Sequence, residues 1–353
     1  MKTNNENAST NSKPKIKKIP KKNNLEIIKK SLKSGSKHHK SEAKVAVLIP
    51  CYNEEVTIYK VITDYKEALK DFKNLTIYVF DNNSSDDTIA LAKKAGATVY
   101  TEELQGKGNV IRQMFRTVQA DAYLMIDGDD TYDAKDAKTM IDYVLDEHYD
   151  MVIGDRLSGA YFTENKRAFH NFGNVLVQKL INTLFAKKHV NDIMTGMRAF
   201  SYGFVKTFPV LSDGFQVETE MTIHALDKDM RLKEVTIEYR DRPDGSESKL
   251  NTVNDGIKVL WTIFDLIREY KPLGFFTFIA ALFEIIGLGL FARPMIEFVN
   301  TGLVTHFPTL IVSVLFIIVG IQFQVTAYSL DLTCKKHRQL FETNLNIINS
   351  TKH

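Results

Sequence analysis

Three carboxylates, Asp127, Asp129 and Asp130, end a short apolar run at 123–126. A single glycine separates Asp127 from Asp129, so both carboxylates can turn toward one point without crowding the backbone. Two hard anionic donors at that spacing suit Mg²⁺ or Mn²⁺, ions often shared with a substrate diphosphate. The competing reading is a solvated acidic turn before a helix starting near Ala134, with Asp130 or Asp133 as N-cap. Both readings stand on these residues alone, and the rest of the chain must decide.

The elements that would position the pair are legible around it. Tyr123, Leu124, Met125 and Ile126 read as a strand buried on both faces. Its carboxylates then lie at the C-terminal end, where open α/β sheets place ligands. Strand signals recur at 45–50, 75–80, 98–100 and 151–153, with helical stretches near 55–73, 87–94 and 108–120. That rhythm predicts a mostly parallel sheet with right-handed crossovers. Other strand ends are polar too. The first supplies Pro50, Cys51, Tyr52, Asn53 and Glu54, and the second Asp81, Asn82, Asn83, Ser84 and Ser85. The third precedes Gly106, Lys107 and Gly108. Singly these are helix caps and turns. Coincident at one end of four strands, they mark a ligand crevice.

Cations follow downstream. Arg156 ends the strand at 151–153, Arg167 opens a helix over 167–184, and Arg198 sits in TGMRAF. The guanidinium fork matches phosphate oxygens, although each arginine alone could equally be a structural ion pair. Glu218 and Glu220 precede a helix at 221–228, where acids are favoured by the helix dipole alone.

Composition sets the boundaries. The chain has 353 residues, 44% hydrophobic and 25% charged, with net charge +3. The average hides segregation, because residues 1–44 are rich in Lys, Asn and Ser and read as a disordered tail. No aromatics interleave with those lysines, which argues against nucleic acid as a partner. No apolar h-region follows the basic start, and two distant cysteines imply no disulfide framework. Val253, Ile257, Leu260, Phe264 and Ile267 read as one face of an interfacial helix over 251–271, with a core-packed helix of the soluble domain as the rival reading. Two transmembrane helices are expected within 272–334, at about 273–291 and 309–330, followed by a tail at 335–353. Arg268 and Lys271 before the pair, and Lys335, Lys336 and Arg338 after it, place both chain ends in the cytoplasm.

PCYNEE at 50–55, DNNSSDDT at 81–88, GKG at 106–108 and DGDD at 127–130 resemble the donor half of family 2 glycosyltransferases with the GT-A fold. GDR at 154–156, DIMTGMRAFS at 192–201, ETEM at 218–221 and RPDGSESKL at 242–250 are similar to the polyprenyl-phosphate sugar transferases in that family. The resemblance implies a Rossmann-like α/β domain over 45–250 in a multi-pass membrane protein, its catalytic domain cytoplasmic. It implies an inverting transfer of one sugar from a nucleotide sugar, UDP-linked by preference, to a membrane polyprenyl phosphate in cell-envelope glycan biosynthesis. Pro50, Tyr52, Asn53, Glu54, Asp81, Asn82, Lys107, Asp127, Arg242 and Lys249 would then bind the donor. Asp127 and Asp129 would hold Mg²⁺ or Mn²⁺. Arg156, Arg167 and Arg198 would face the acceptor phosphate, with Asp192, Asp129 and Arg156 catalytic and Asp192 orienting the acceptor. Arg242 and Lys249 would close a lid over the diphosphate, hinged at Gly245 and Ser246. The family often has Asp-Asp after the second strand where this chain has Asp81-Asn82, which favours Asp81 as the base contact. Self-association is left open. The rivals are a processive or other-acceptor enzyme of the same fold, or a silent nucleotide-sugar-binding scaffold. The processive enzymes usually carry Gln-x-x-Arg-Trp, and no Arg-Trp pair exists here.

Overall fold

The computed structural model describes residues 42–158, 178–185, 189–214, 216–243, 261, 264, 265 and 267–351. Arg167, Lys249, the hinge at 245–246, most of 251–266 and all but the end of the 1–44 tail lie outside the described residues.

The elements run β1 (Lys44–Cys51), α1 (Ile58–Ala68), β2 (Asn74–Asp81), α2 (Thr88–Lys94), β3 (Thr98–Thr101), α3 (Lys107–Thr117) and β4 (Ala122–Met125). A 3₁₀ turn (Ala134–Asp136) leads into α4 (Ala137–Leu145) and β5 (Met151–Asp155). Then come β6 (Arg198–Ser201), α5 (Tyr202–Thr207), α6 (Val217–Asp227) and β7 (Leu232–Thr236). Two long helices close the chain, α7 (Pro272–Thr301) and α8 (Phe307–Thr351).

The sheet order is β3-β2-β1-β4-β6-β5-β7. β1 to β4 are parallel, as their alternation with helices dictates, and β5 and β7 are also parallel. β6 runs antiparallel between β4 and β5, with Arg198 opposite both Met125 and Ile153. Each face of the sheet carries its own core. Val47, Ile49 and Leu124 pack toward Ile62 and Ile141, while Leu48 and Met125 point the other way toward Phe200 and Met221. Burial on both faces explains the unbroken apolar runs of β1 and β4. The direction of crossover changes between β1 and β4, so the ligand crevice opens outside their carboxyl ends.

The C-terminus departs from expectation. α7 and α8 contain the apolar stretches at 273–291 and 309–330, but α8 does not stop there. It continues as helix through the segment expected to be a tail, and Phe341 is buried in the catalytic domain's core. The physical reason is a second stripe: Arg338, Phe341 and Leu345 share one face of the helix at spacings of three and four. Only 11% of the apolar window of α7 and 17% of that of α8 is buried, unlike the core helices of a soluble domain.

Candidate active site

Asp81 ends β2, fully buried. Its Oδ2 accepts from Ser84 N at 3.0 Å, while Oδ1 has no partner among the described residues. An unsatisfied buried acceptor costs about 1–3 kcal/mol, so a ligand N–H at this point would be strongly favoured. Asn53 takes a left-handed backbone conformation at φ 53°. Its N–H donates to Ser84 Oγ at 2.8 Å and its Oδ1 accepts from Ser85 N at 2.8 Å. Glu54 N donates to Thr88 Oγ1, so the loops after β1 and β2 are stitched into one rim. Pro50 is half-buried on that rim and Tyr52 is exposed.

Asn82, expected among the donor-binding residues, spends its side chain on the protein itself. Its amide donates to Glu102 O at 3.0 Å and Leu104 O at 2.9 Å, and its Oδ1 accepts from Gly106 N at 2.7 Å. All three bonds hold the loop before α3. Two donors and one acceptor are what an amide offers and a carboxylate does not, which accounts for Asn at this position.

Asp127 and Asp129 do lie together, Gly128 between them anchored by Thr57 Oγ1 donating to its carbonyl at 2.6 Å. Each already faces a cation. Lys107 Nζ bridges Asp127 Oδ1 and Glu218 Oε1, both at 2.7 Å, and Arg242 Nη2 reaches Asp129 Oδ2 at 2.6 Å. Thr131 Oγ1 donates to the other Asp129 oxygen at 2.6 Å. Burial raises the Asp129 carboxyl above the ordinary range, and Asp127 adds to this. Burial acts to lower Lys107, but Asp127 and Glu218 outweigh it and hold the ammonium above its usual range. The pair therefore attracts cations, and its donors are hard oxygens, as Mg²⁺ or Mn²⁺ require. Among the described residues no third His, Cys, Asp or Glu converges on it. That fits an ion completing its shell with diphosphate and water.

The glycines of GKG admit a neighbouring backbone. A Cβ on Gly108 would lie 1.9 Å from Ser212 O, and one on Gly106 (φ +132°) 2.3 Å from Asp213 O. They admit the Ser212–Asp213 backbone, whose Asp213 O accepts from Gly108 N at 2.9 Å.

On the far side, Arg156 and Asp192 form a two-pronged pair. Nε meets Oδ2 at 2.7 Å and Nη2 meets Oδ1 at 3.0 Å, while Arg156 N also donates to Oδ2 at 3.2 Å. The guanidinium lies 5.2 Å from the centroid of the Tyr239 ring. Glu234 Oε1 accepts from Asn191 N and Asp192 N, fixing the loop that carries Asp192. Burial lowers the tendency of Arg156 to stay charged, but Tyr132 and Asp192 reverse this.

Arg198 does not face an acceptor. It is fully buried under the sheet and donates to Thr195 O, Ile193 O and Thr222 Oγ1. Burial pushes its guanidinium down to about 10. Of the two acids at the start of α6, Glu220 caps Leu211 N and Ser212 N, and Glu218 joins the site through Lys107. Tyr132, Tyr239 and Glu234 were not singled out in the sequence. Tyr239 alone had a signal, three residues before Arg242.

The family described as Glycosyl transferase family 2 matches residues 46–208. Glycosyltransferase AglJ of Haloferax volcanii is 34% identical over 299 residues, 84% of this chain and 95% of that protein. A protein of the same organism named dolichyl-phosphate hexose transferase is 27% identical over 227 residues, covering 64% of this chain and 95% of its own. Among solved structures, Mycobacterium tuberculosis glucosyl-3-phosphoglycerate synthase with Mn²⁺, UDP and phosphoglyceric acid superposes with a TM-score of 0.51 at 20% identity. That likeness covers 65% of this chain and 81% of the synthase, and it is one of fold. The chain belongs to glycosyl transferase family 2. It is a GT-A hexosyltransferase with two C-terminal helices long and apolar enough to cross a membrane.

Proposed function

We propose that this enzyme moves a single sugar, with inversion, from a UDP-linked donor to a membrane-embedded polyprenyl phosphate. The observation that carries the reading is α8. It runs unbroken from an exposed apolar segment into the core of the α/β domain, which supports a water-soluble donor meeting a lipid acceptor. The similarity to a protein named dolichyl-phosphate hexose transferase supports the same acceptor class.

In this reading Asp81 Oδ1 accepts the imide N–H of uracil, and Asn53, Glu54, Pro50 and Tyr52 frame the base and ribose. Lys107, Arg242 and Lys249 turn to the diphosphate. Mg²⁺ or Mn²⁺ held by Asp127 and Asp129 would supply charge neutralisation for the departing nucleoside diphosphate. The acceptor phosphate is largely a dianion at neutral pH and needs no strong base. Its oxygen attacks the anomeric carbon, the bond from that carbon to the diphosphate oxygen breaks, and the nucleoside diphosphate leaves. Arg156 and Arg167 receive the phosphate, and Asp192 orients Arg156 rather than removing a proton. The domain works on the cytoplasmic side, with 300–305 outside. Membranes containing the enzyme, given labelled nucleotide sugars and undecaprenyl phosphate, should yield a chloroform-soluble sugar monophosphate lipid. Labelled polysaccharide instead of that lipid would favour the processive alternative.

A further inference from the structure

The joint between α8 and α6 is built from more than apolar packing. Arg338 Nε donates to Asp227 Oδ1 at 3.0 Å, with Nη2 reaching the same oxygen at 2.5 Å. Lys228 Nζ lies 3.0 Å from His337 Nδ1, and the Phe341 ring meets His224 edge-on at 5.4 Å between centroids. Leu345 reaches Gly203 in α5. Asp227 is the last residue of α6, where the helix dipole disfavours a negative charge. Cations must hold it there. Burial works against the charged Asp227, and Arg338 and Lys228 outweigh it and keep its carboxyl below the ordinary range.

Between Gly320 and Thr351 the helix has no Gly or Pro at which to kink, so the apolar stretch and the joint turn together. α6 is buried along most of its length and carries Glu218, the partner of Lys107, at its other end. Nine residues separate Glu218 from Asp227, about 14 Å of helix.

We propose that the Asp227–Arg338 ion pair, with His337–Lys228 and Phe341 beside it, is a positioning joint. It fixes the height and tilt of the catalytic domain over the bilayer and thereby decides which acceptors reach the site. The part concerning acceptors rests on the polyprenyl-phosphate reading, whereas the part concerning orientation does not. Arg338 is a positioning residue and touches no substrate.

The test uses the full chain in liposomes, with a donor dye on Lys93→Cys, an exposed site on α2, and acceptor-labelled lipids. Arg338→Asp should change energy transfer to the bilayer, and Asp227→Arg with Arg338→Asp should restore it. Arg338→Gln gives a milder version, and calorimetric UDP binding within twofold of the parent protein shows that the domain remains folded. With long-chain polyprenyl phosphate in the vesicle, Arg338→Asp should lose about tenfold in rate at unchanged donor KM. Turnover of a short, water-soluble polyprenyl phosphate should stay within twofold. Unchanged energy transfer, or equal loss on both acceptors without rescue by the charge swap, overturns the joint. Absence of any lipid product from the parent enzyme overturns the acceptor reading and leaves the energy-transfer result to stand alone.

Discussion

At the end of the crevice proposed for the donor, Lys107 Nζ is shared between Asp127 and Glu218 with 11% of its side chain exposed, and Arg242 Nη2 reaches Asp129 with 32% exposed. At the acceptor side, Arg156 meets Asp192 through two nitrogens and its own backbone, with Tyr239 over the guanidinium and Asp192 only 1% exposed. The chemistry of pairing is the same, but the restraint differs. A rotating lysine ammonium and a third-exposed Arg242 can be exchanged for a ligand's charge more readily than a two-point pair stacked on Tyr239 can be opened. Under the proposed function, the donor side exchanges partners while the Arg156–Asp192 pair stays fixed as a phosphate approaches it.

The largest effect should come from removing a carboxylate that the donor side cannot replace. Asp129→Ala takes away one of the two hard donors, and charge stabilisation of a leaving diphosphate is worth several kcal/mol. Turnover of nucleotide sugar should fall by about a thousandfold, roughly 4 kcal/mol of barrier. Chelation of divalent ions in the parent enzyme should do the same. Full activity in either experiment removes the metal from the reading.

The fixed side should respond in stability as much as in rate. Asp192→Ala strands the Arg156 guanidinium in a buried position, a loss of about 3 kcal/mol. A double substitution, Arg156→Met with Asp192→Leu, should recover most of that stability in chemical denaturation, because no buried charge is left unpaired. It should recover none of the activity. If the single and double variants are equally stable, the pair is looser than its geometry indicates.

A pH effect tests the core beneath both sides. His224 in α6 is buried among Phe204, Phe208 and Phe341, and burial, with Lys228 nearby, pushes its imidazole down to about 4. Asp227 opposes that shift and His337 adds to it. The unfolded chain binds this proton first as pH falls below the ordinary histidine value, so stability is full above that value and declines below it. Between about pH 6.5 and pH 5 the domain should lose about 2 kcal/mol from this residue. His224→Leu should flatten the decline in thermal melts of the detergent-solubilised protein. An unchanged slope would mean that other groups dominate it.

β1, β2 and β4 were legible because they are unbroken apolar runs, and the structure brings Asn53, Asp81 and Asp127 to their carboxyl ends. The errors have a common physical origin. Asn82 and Arg198 are polar residues at the right places in the chain, but their partners come from segments remote in sequence. Arg198 finds Thr222, and Asn82 finds Glu102. No local pattern carries that information. α8 was cut short for the same reason, since the stripe of Arg338, Phe341 and Leu345 has meaning only once α6 and α5 are there to receive it.

The smallest effect is the one that separates the two sides most sharply. If Arg242 stands on Asp129 only until a ligand's charge replaces it, then its cation competes with a metal ion for that oxygen. Arg242→Gln keeps hydrogen-bonding capacity and removes the charge. A charged hydrogen bond of this kind is worth about 1.5–3 kcal/mol, but Arg242 is a third exposed and solvent screens part of it. About 1.4 kcal/mol should remain, so Mn²⁺ alone, followed by its paramagnetic resonance signal, should bind about tenfold tighter to the variant. UDP in the presence of Mn²⁺ should bind more weakly, because the same side chain then faces the diphosphate. The two affinities must move in opposite directions. If both fall, Arg242 is a fixed part of the metal site's scaffold, and the donor side is as rigid as the acceptor side.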